Sequence, residues 1–515
     1  MSEKNRKSLD LLLVNPSARK VYQPHHEKDQ YPALEPPYLA LLTADFIRRN
    51  GYDVKVIDAN AEGLSTEAVV EAVKEYHPRL LQIIAHGNQP SASSQLIDEI
   101  NRVCAGVKNA GLDTKILLTG THPAALPAIT LKEGFTDFVG VGEGVFTTLG
   151  LLQQKPLSEI PGLGYMENGS PHIIPDKVIL EENVDEVFPS AAWDLIDLRK
   201  YRAHDWHCLD GRLEKRQPYA AMYTTFGCPF KCDFCCINAT GDGTIRCRSP
   251  KLVGDEIEML VKEHGIENLK IIDEMFVLKK PHYLGVAKEI IQRGLGDKLN
   301  IWAYARVDTI KDPHSLELLK KAGFNWLALG IESGSKDVRD GVIKGRFTEE
   351  DIFNNVLLVQ NAGIHVVGNY IFGLSDDTEE TMQATLQLAI DLNCERPNFY
   401  SGMAYPGSGY HRKAMSREYP KPADWTGERP LLPEDKGGPG WIGYSQHAYE
   451  TLPLPTAHLY PEQVLAFRDK ALNTYFQSQK YKDLVRMKFG QEAVDKFCRV
   501  NAELPRRKIL GHAPA

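Results

Sequence analysis

The chain has 515 residues, 43% of them hydrophobic, with 60 Lys and Arg against 68 Asp and Glu for a net charge of −8. That length exceeds one ordinary core and predicts two or three globular domains, and the acidic balance argues against a nucleic-acid partner held through its phosphates. The sequence lacks the apolar run of about 18 residues that predicts a membrane span, Met1–Lys7 lacks the apolar segment of a signal peptide, and nine cysteines, an odd number gathered around one loop, fit a reducing cytoplasm.

From Leu9 to about Leu151, short apolar runs alternate with amphipathic stretches. Strands are expected at Leu9–Val14, Val54–Asp58, Leu80–Ala85, Lys115–Thr119 and Phe138–Val141. Between them, Leu39, Leu42 and Phe46 line one helical face, and Leu96, Ile100, Val103 and Val107 another. Strands alternating with helices predict a doubly wound, Rossmann-like domain over residues 1–155, with ligands beyond the carboxyl ends of its strands. Those ends carry Asn15-Pro16-Ser17, His86-Gly87-Asn88, Gly120-Thr121-His122-Pro123 and Gly142-Glu143-Gly144, where glycine lets backbone approach a large ligand. The G-x-G-x-x-G dinucleotide fingerprint is missing after the first strand, which counts against NAD.

Residues 156–205 read as a connector, with a small hairpin around the turn Asn168-Gly169. A second pattern begins near Tyr219. Six strand-like runs (Tyr219–Thr224, Asn268–Ile272, Asn300–Ala305, Trp326–Ile331, His365–Phe372 and Asn398–Met403) are separated by helical stretches, such as the one in which Val253, Ile257, Leu260 and Val261 share a face. Six strand–helix units predict a partial parallel barrel over residues 206–410, with functional groups at the carboxyl ends of its strands.

The end of the first of these strands carries Phe226-Gly227-Cys228-Pro229-Phe230-Lys231-Cys232-Asp233-Phe234-Cys235-Cys236. Cys228, Cys232 and Cys235 are spaced C-x3-C-x2-C, and three such thiolates can hold three irons of a cubane cluster while leaving the fourth open for chemistry. A structural zinc would want a fourth ligand, and Cys236 is too close to Cys235 to serve. Three thiols within eight residues of a Gly/Pro loop are not distributed as core cysteines are. Cys208, Cys247, Cys394 and Cys498 read as packing residues. Beyond Ser408 the barrel pattern stops, and residues 411–515 read as a Pro/Gly-rich cover followed by helices from Pro461.

The cysteine loop, with aromatic Phe234 before its third thiol, resembles the radical S-adenosylmethionine (SAM) superfamily. That resemblance implies that the open iron chelates SAM, and that reduction splits SAM to methionine and a 5′-deoxyadenosyl radical. It assigns the second strand end, Asp273-Glu274, to the cofactor's amino group, and Arg306 at the third to its carboxylate. Gly330, Glu332 and Ser333 at the fourth would lie along ribose and methionine, and Phe372 at the fifth along adenine. In the first third, the order of Glu35-Pro36-Pro37-Tyr38, Gly120-Thr121-His122-Pro123 and Gly142-Glu143-Gly144 resembles the cobalamin-binding domain that precedes many radical SAM cores. It implies corrin contacts from Asn15, Pro16, Pro37, His86, Gly87, Gly120, Thr121, His122, Gly142, Glu143 and Gly144. The D-x-H-x-x-G motif that supplies a histidine to cobalt is not at its usual place. Its nearest match, Asp58-Ala59-Asn60-Ala61-Glu62-Gly63, has Asn for the His, so no protein histidine is expected on cobalt's lower face.

The combined resemblance implies a 4Fe-4S cluster, SAM and cobalamin, a small-molecule substrate, and an external electron donor such as flavodoxin or ferredoxin. The leading activity is methyl transfer to an unactivated carbon or a phosphinate. The alternatives are an oxidative cyclase or ring-rearranging enzyme and, further off, a cobalamin-responsive sensor with a degenerate barrel. An RNA methylthiotransferase would need three more cluster cysteines, and residues 1–200 hold only Cys104.

Overall fold

The computed structural model describes residues 9–18, 33–176, 183–209, 213–241, 243–345, 347–500 and 504–513. Its first sheet holds β1 (Leu11–Asn15), β2 (Val54–Asp58), β3 (Leu80–Ala85), β4 (Lys115–Gly120), β5 (Phe138–Gly140), β6 (Leu163–Glu167) and β7 (Ser170–Ile173), in the order β2-β1-β3-β4-β5-β6-β7. The first five pair in parallel. β3 is buried along its whole length because helices cover both faces, which is why it reads as an unbroken apolar run. The hairpin β6–β7 turns at Asn168 and Gly169, both at positive φ as the strand twist demands. It does not stand in a connector: β6 pairs antiparallel with β5, so the sheet runs on past residue 155.

The second sheet is built from β8 (Tyr219–Met222), β11 (Asn268–Ile271), β12 (Asn300–Arg306), β13 (Phe324–Glu332), β14 (His365–Phe372) and β15 (Arg396–Ser401), all parallel and in chain order. Between β8 and β11 lie the short antiparallel strands β9 (Thr225–Phe226) and β10 (Arg246–Cys247). This is a six-stranded partial barrel. Side chains alternate along each strand. Tyr370, Phe372 and Phe399 point outward, where Phe467 and Tyr475 of the helix Pro461–Gln477 pack on them. Trp302 and Trp326 point inward, and Trp206 plugs the lower end between them, 5.2 Å from each ring. Higher in the lumen, Tyr304, Asn369, Asn398 and Tyr400 keep part of their surface accessible, so that space is not filled by protein.

A buried network joins sheet one, the connector and the barrel. Glu256 accepts from Trp193 Nε1 (2.7 Å), Arg248 Nη2 (2.6 Å) and Tyr38 OH (3.2 Å), while Arg248 also donates to Tyr38 OH (2.8 Å) and the Tyr223 carbonyl (3.0 Å). The C-terminal cover touches both domains. Trp441 Nε1 donates to Glu133 at 3.2 Å, and Gln446 exchanges hydrogen bonds with the backbone of Ser401 (2.9 and 3.0 Å).

Candidate active site

The cysteine loop is placed by the strand beside it. Thr224 gives its backbone N–H and its hydroxyl to Asp273 (2.6 and 2.5 Å), which pulls the chain off the sheet at the end of β8 and spends both oxygens of Asp273. The chain then forms β9, a pairing absent from the sequence expectation of one strand from Tyr219 to Thr224. It turns at Gly227, where φ is +83° and a Cβ would lie 2.2 Å from the Thr244 carbonyl. Cys228 is buried and Cys232 and Cys235 are half-buried, with Cys235 N–H donating to the Cys232 carbonyl at 3.0 Å. Asp233 is clamped by Lys413 (2.5 Å) and the N–H of Tyr410 (2.9 Å), and Phe234 packs into the core beneath the cover.

Cationic groups crowd this loop. Arg306 forks onto Asp308 with two bonds of 2.9 Å, lies 3.9 Å over the Phe230 ring and reaches within 3.7 Å of Cys232 Sγ. It also bonds the carbonyl of Lys344. Lys344 is buried and pairs with Glu332 at 2.6 Å. Glu332 holds φ +69°, a strained backbone of the kind that gathers at ligand sites, and a Cβ on Gly330 would sit 2.7 Å from both Glu332 Oε1 and Lys344 Nζ. Ser333 is fully buried and its hydroxyl is shared with Thr385 at 3.2 Å.

Glu274 stands apart from these pairs. Its Oε2 is buried with no hydrogen-bond partner among the described residues, and burial pushes the carboxyl up to about 8. An arriving ammonium would satisfy it. Phe372 does not share this rim: the alternation of β14 turns it outward onto Phe399 and Phe467, and Ile371 faces the lumen in its place.

Across from the loop, the carboxyl edge of the first sheet opens a narrow cleft. Asn15, Pro16, Pro37, His86 and Gly87 line one side, and Tyr223 and Ile272 of the barrel the other. His86 Nε2 is 3.2 Å from Tyr223 OH and stays neutral, pushed down to about 4 by burial and then by Lys270. Asn15 donates to Asp58 at 2.8 Å. Asp58 also caps the short helix Ala59–Glu62, so the look-alike of the histidine motif serves as a helix start.

The other expected corrin contacts fall outside this cleft. Gly120 has φ +114° and a Cβ there would meet the Ala85 carbonyl at 2.1 Å, while one on Gly142 would strike Asp176 at 1.7 Å, so the protein's own packing demands these glycines. Gly144 is likewise crowded by Thr119, and Thr121 is buried with its hydroxyl unbonded among the described residues. His122 is sealed in: its Nδ1 meets Ser94 Oγ at 2.9 Å, and its ring stands edge-on to Trp441 at 4.4 Å. Glu143 reaches into the barrel and pairs with Arg246 of β10 at 2.6 Å, beside the cysteine loop.

Four residues at this junction were not among the expected site residues. Lys270 bonds both oxygens of Glu35 (3.0 and 2.9 Å) across the domain boundary, and Arg246 and Lys344 complete the pairs above. Lys270 was visible as one charge in a strand of buried residues, where a lone lysine needs a partner. Nothing in the local sequence marks Glu35 as that partner.

The residues present fit the implied cofactors. Three thiols share one loop under Arg306 and Lys344, cations that suit thiolates. A buried carboxyl oxygen awaits a donor, and the amides of Asn15, Asn60, Asn88 and Gln95 line the cleft, matching the amide periphery of a corrin. Comparison with known proteins agrees. Residues 31–150 match the family model for the B12 binding domain, and residues 222–389 that for the radical SAM superfamily. An uncharacterized methyltransferase of Pyrococcus horikoshii, PH0819, is 28% identical over 394 residues, covering 76% of this chain and 81% of that protein. The anaerobic magnesium-protoporphyrin IX monomethyl ester cyclase of Rubrivivax gelatinosus is 28% identical over 384 residues, 72% of this chain and 65% of the cyclase. Among solved structures, the radical SAM methyltransferase TsrM from Kitasatospora setae, with cobalamin and a 4Fe-4S cluster bound, shares the fold with a TM-score of 0.62 at 20% identity, over 80% of this chain and 75% of that one. With a B12-binding sheet, a radical SAM barrel and the three-cysteine loop at their junction, the chain carries the two domains that cobalamin-dependent radical SAM enzymes combine, and with them the cofactors 4Fe-4S cluster, SAM and cobalamin.

Proposed function

We propose that the protein is a methyltransferase that moves a methyl group from methylcobalamin to an unactivated carbon of a small biosynthetic intermediate. The observation that carries this reading is the junction itself: the cysteine loop and the cleft edge face one another, joined by Glu143–Arg246 and His86–Tyr223, above a lumen that is lined but not filled. When bound, the cluster supplies the electron that splits SAM, and the corrin supplies the methyl group. The chain's own part is positional. Cys228, Cys232 and Cys235 would hold the cluster, the Glu274 carboxyl accepts the ammonium of SAM, and Arg306, already forked onto Asp308, keeps its positive charge beside Cys232. Trp206 closes the lower end of the lumen to water, which protects reactive species there. A flavodoxin or ferredoxin supplies electrons from outside.

Turnover with SAM deuterated on its methyl group tests the reaction, because label must appear in the product. The likeness to a cyclase supports one other reading, ring closure without net methylation. That reading gains if 5′-deoxyadenosine forms while the product stays unlabelled.

A further inference from the structure

The lumen is where the molecule to be modified sits if the proposed reaction is right, and its charges are already balanced. Lys270 spends its N–H groups on Glu35 Oε1 (3.0 Å), Glu35 Oε2 (2.9 Å) and the Asn88 carbonyl (3.2 Å), all deep in the molecule. Lys344 is taken by Glu332 at 2.6 Å, and Arg306 by the two oxygens of Asp308 at 2.9 Å each. Against these stands Glu274, whose Oε2 has no partner among the described residues. The fixed charge around the mouth is therefore zero or negative. The groups left to greet a ligand are neutral: the amides of Asn369 and Asn398, bonded to each other at 3.0 Å, and the phenols of Tyr304 and Tyr400.

An anion leaving water for such a space must find a cation or forfeit its hydration without return. Each lysine and arginine named here already has its carboxylate. We infer that the part of the substrate entering the barrel is uncharged: a molecule held through hydroxyl, amide or ring contacts, and neither a phosphate ester nor a carboxylate. The inference rests on the lumen being the substrate cavity of the proposed reaction. Glu35 is then a specificity determinant, because it comes from the other domain to neutralise the lysine that would otherwise bind an anion.

The test uses the protein loaded with cluster, cobalamin and SAM, dialysed against radiolabelled inorganic phosphate. Wild type should retain no more phosphate than a Lys270→Met variant. Glu35→Gln frees the ammonium at nearly constant shape and should bind phosphate roughly tenfold or more tightly than wild type. Adding Lys270→Met to Glu35→Gln should erase that gain. If Glu35→Gln does not fold, Glu332→Gln replaces it by freeing Lys344. Phosphate binding by wild type that Lys270→Met abolishes overturns the inference, and so does a folded, cobalamin-retaining Glu35→Gln variant that gains nothing. SAM cleavage in the same samples reports separately on the proposed reaction, since its loss leaves the charge balance standing.

Discussion

The two strand edges that meet across the cleft treat their polar residues in opposite ways. On the N-terminal side, the groups that resemble ligand contacts are largely used up by the protein itself. His122 is closed in by Ser94 and Trp441, and Gly120 and Gly142 exist because neighbouring atoms leave no room for a Cβ. On the barrel side, the Glu274 carboxyl has no partner for its Oε2 among the described residues and the backbone is strained at Glu332, both at strand ends beside the cysteine loop. A glycine or histidine at a strand end therefore speaks for a ligand only where the chain has no use of its own for it.

That contrast can be broken most severely at the cysteines. Replacing Cys228, Cys232 and Cys235 together by Ala should abolish formation of 5′-deoxyadenosine, measured by chromatography, while cobalamin retention survives. Continued turnover would remove the cluster from the account altogether. Next in size, Glu256→Gln strips the carboxylate from buried Arg248 and should cost about 3–5 kcal/mol in denaturant unfolding. A loss near zero would mean that the junction is held by something else.

Glu274→Gln sharpens the comparison in the opposite sense. It should raise the SAM concentration needed for cleavage by roughly ten- to a hundredfold, as expected for losing a hydrogen bond to a charged group, yet leave stability unchanged or higher. The acid response is graded over pH. His86 and His122 take protons near 6.5 when unfolded, but only near 4 and 3 when folded, so the unfolded state binds more protons between those values. Stability present above about pH 6.5 should thus fall as the pH drops, by about 1.4 kcal/mol per unit for each histidine. His122→Phe should shed its share of that slope without touching SAM cleavage. Finally, Phe372→Leu should cost about 1 kcal/mol of stability and leave SAM affinity as it was; weakened SAM binding would return Phe372 to the site.

Much of the fold was legible because periodicity reports burial. The strands of both sheets fall within a residue or two of where alternating apolar runs placed them, and the helix following Pro461 starts where its proline permits. What escaped were departures from regular pairing. The diversion of the chain after Met222 depends on Asp273, 49 residues from Thr224, and the hairpin at Asn168-Gly169 looked detached because nothing local says that it will pair with β5. Phe372 was misplaced because a strand end names two adjacent side chains, and only the partner helix decides which of them faces out.

By itself, then, the sequence determined the order of domains, the parallel partial barrel and the trio of thiols, since these follow from spacing along the chain. Tertiary structure alone decided which charges are spent. Glu35 finds Lys270, Glu143 finds Arg246 and Glu332 finds Lys344 across 235, 103 and 12 positions of sequence, leaving Glu274 without a partner for its Oε2 among the described residues. Electrostatic partners are chosen by distance in space and by the water that folding removes, and neither is written in local composition.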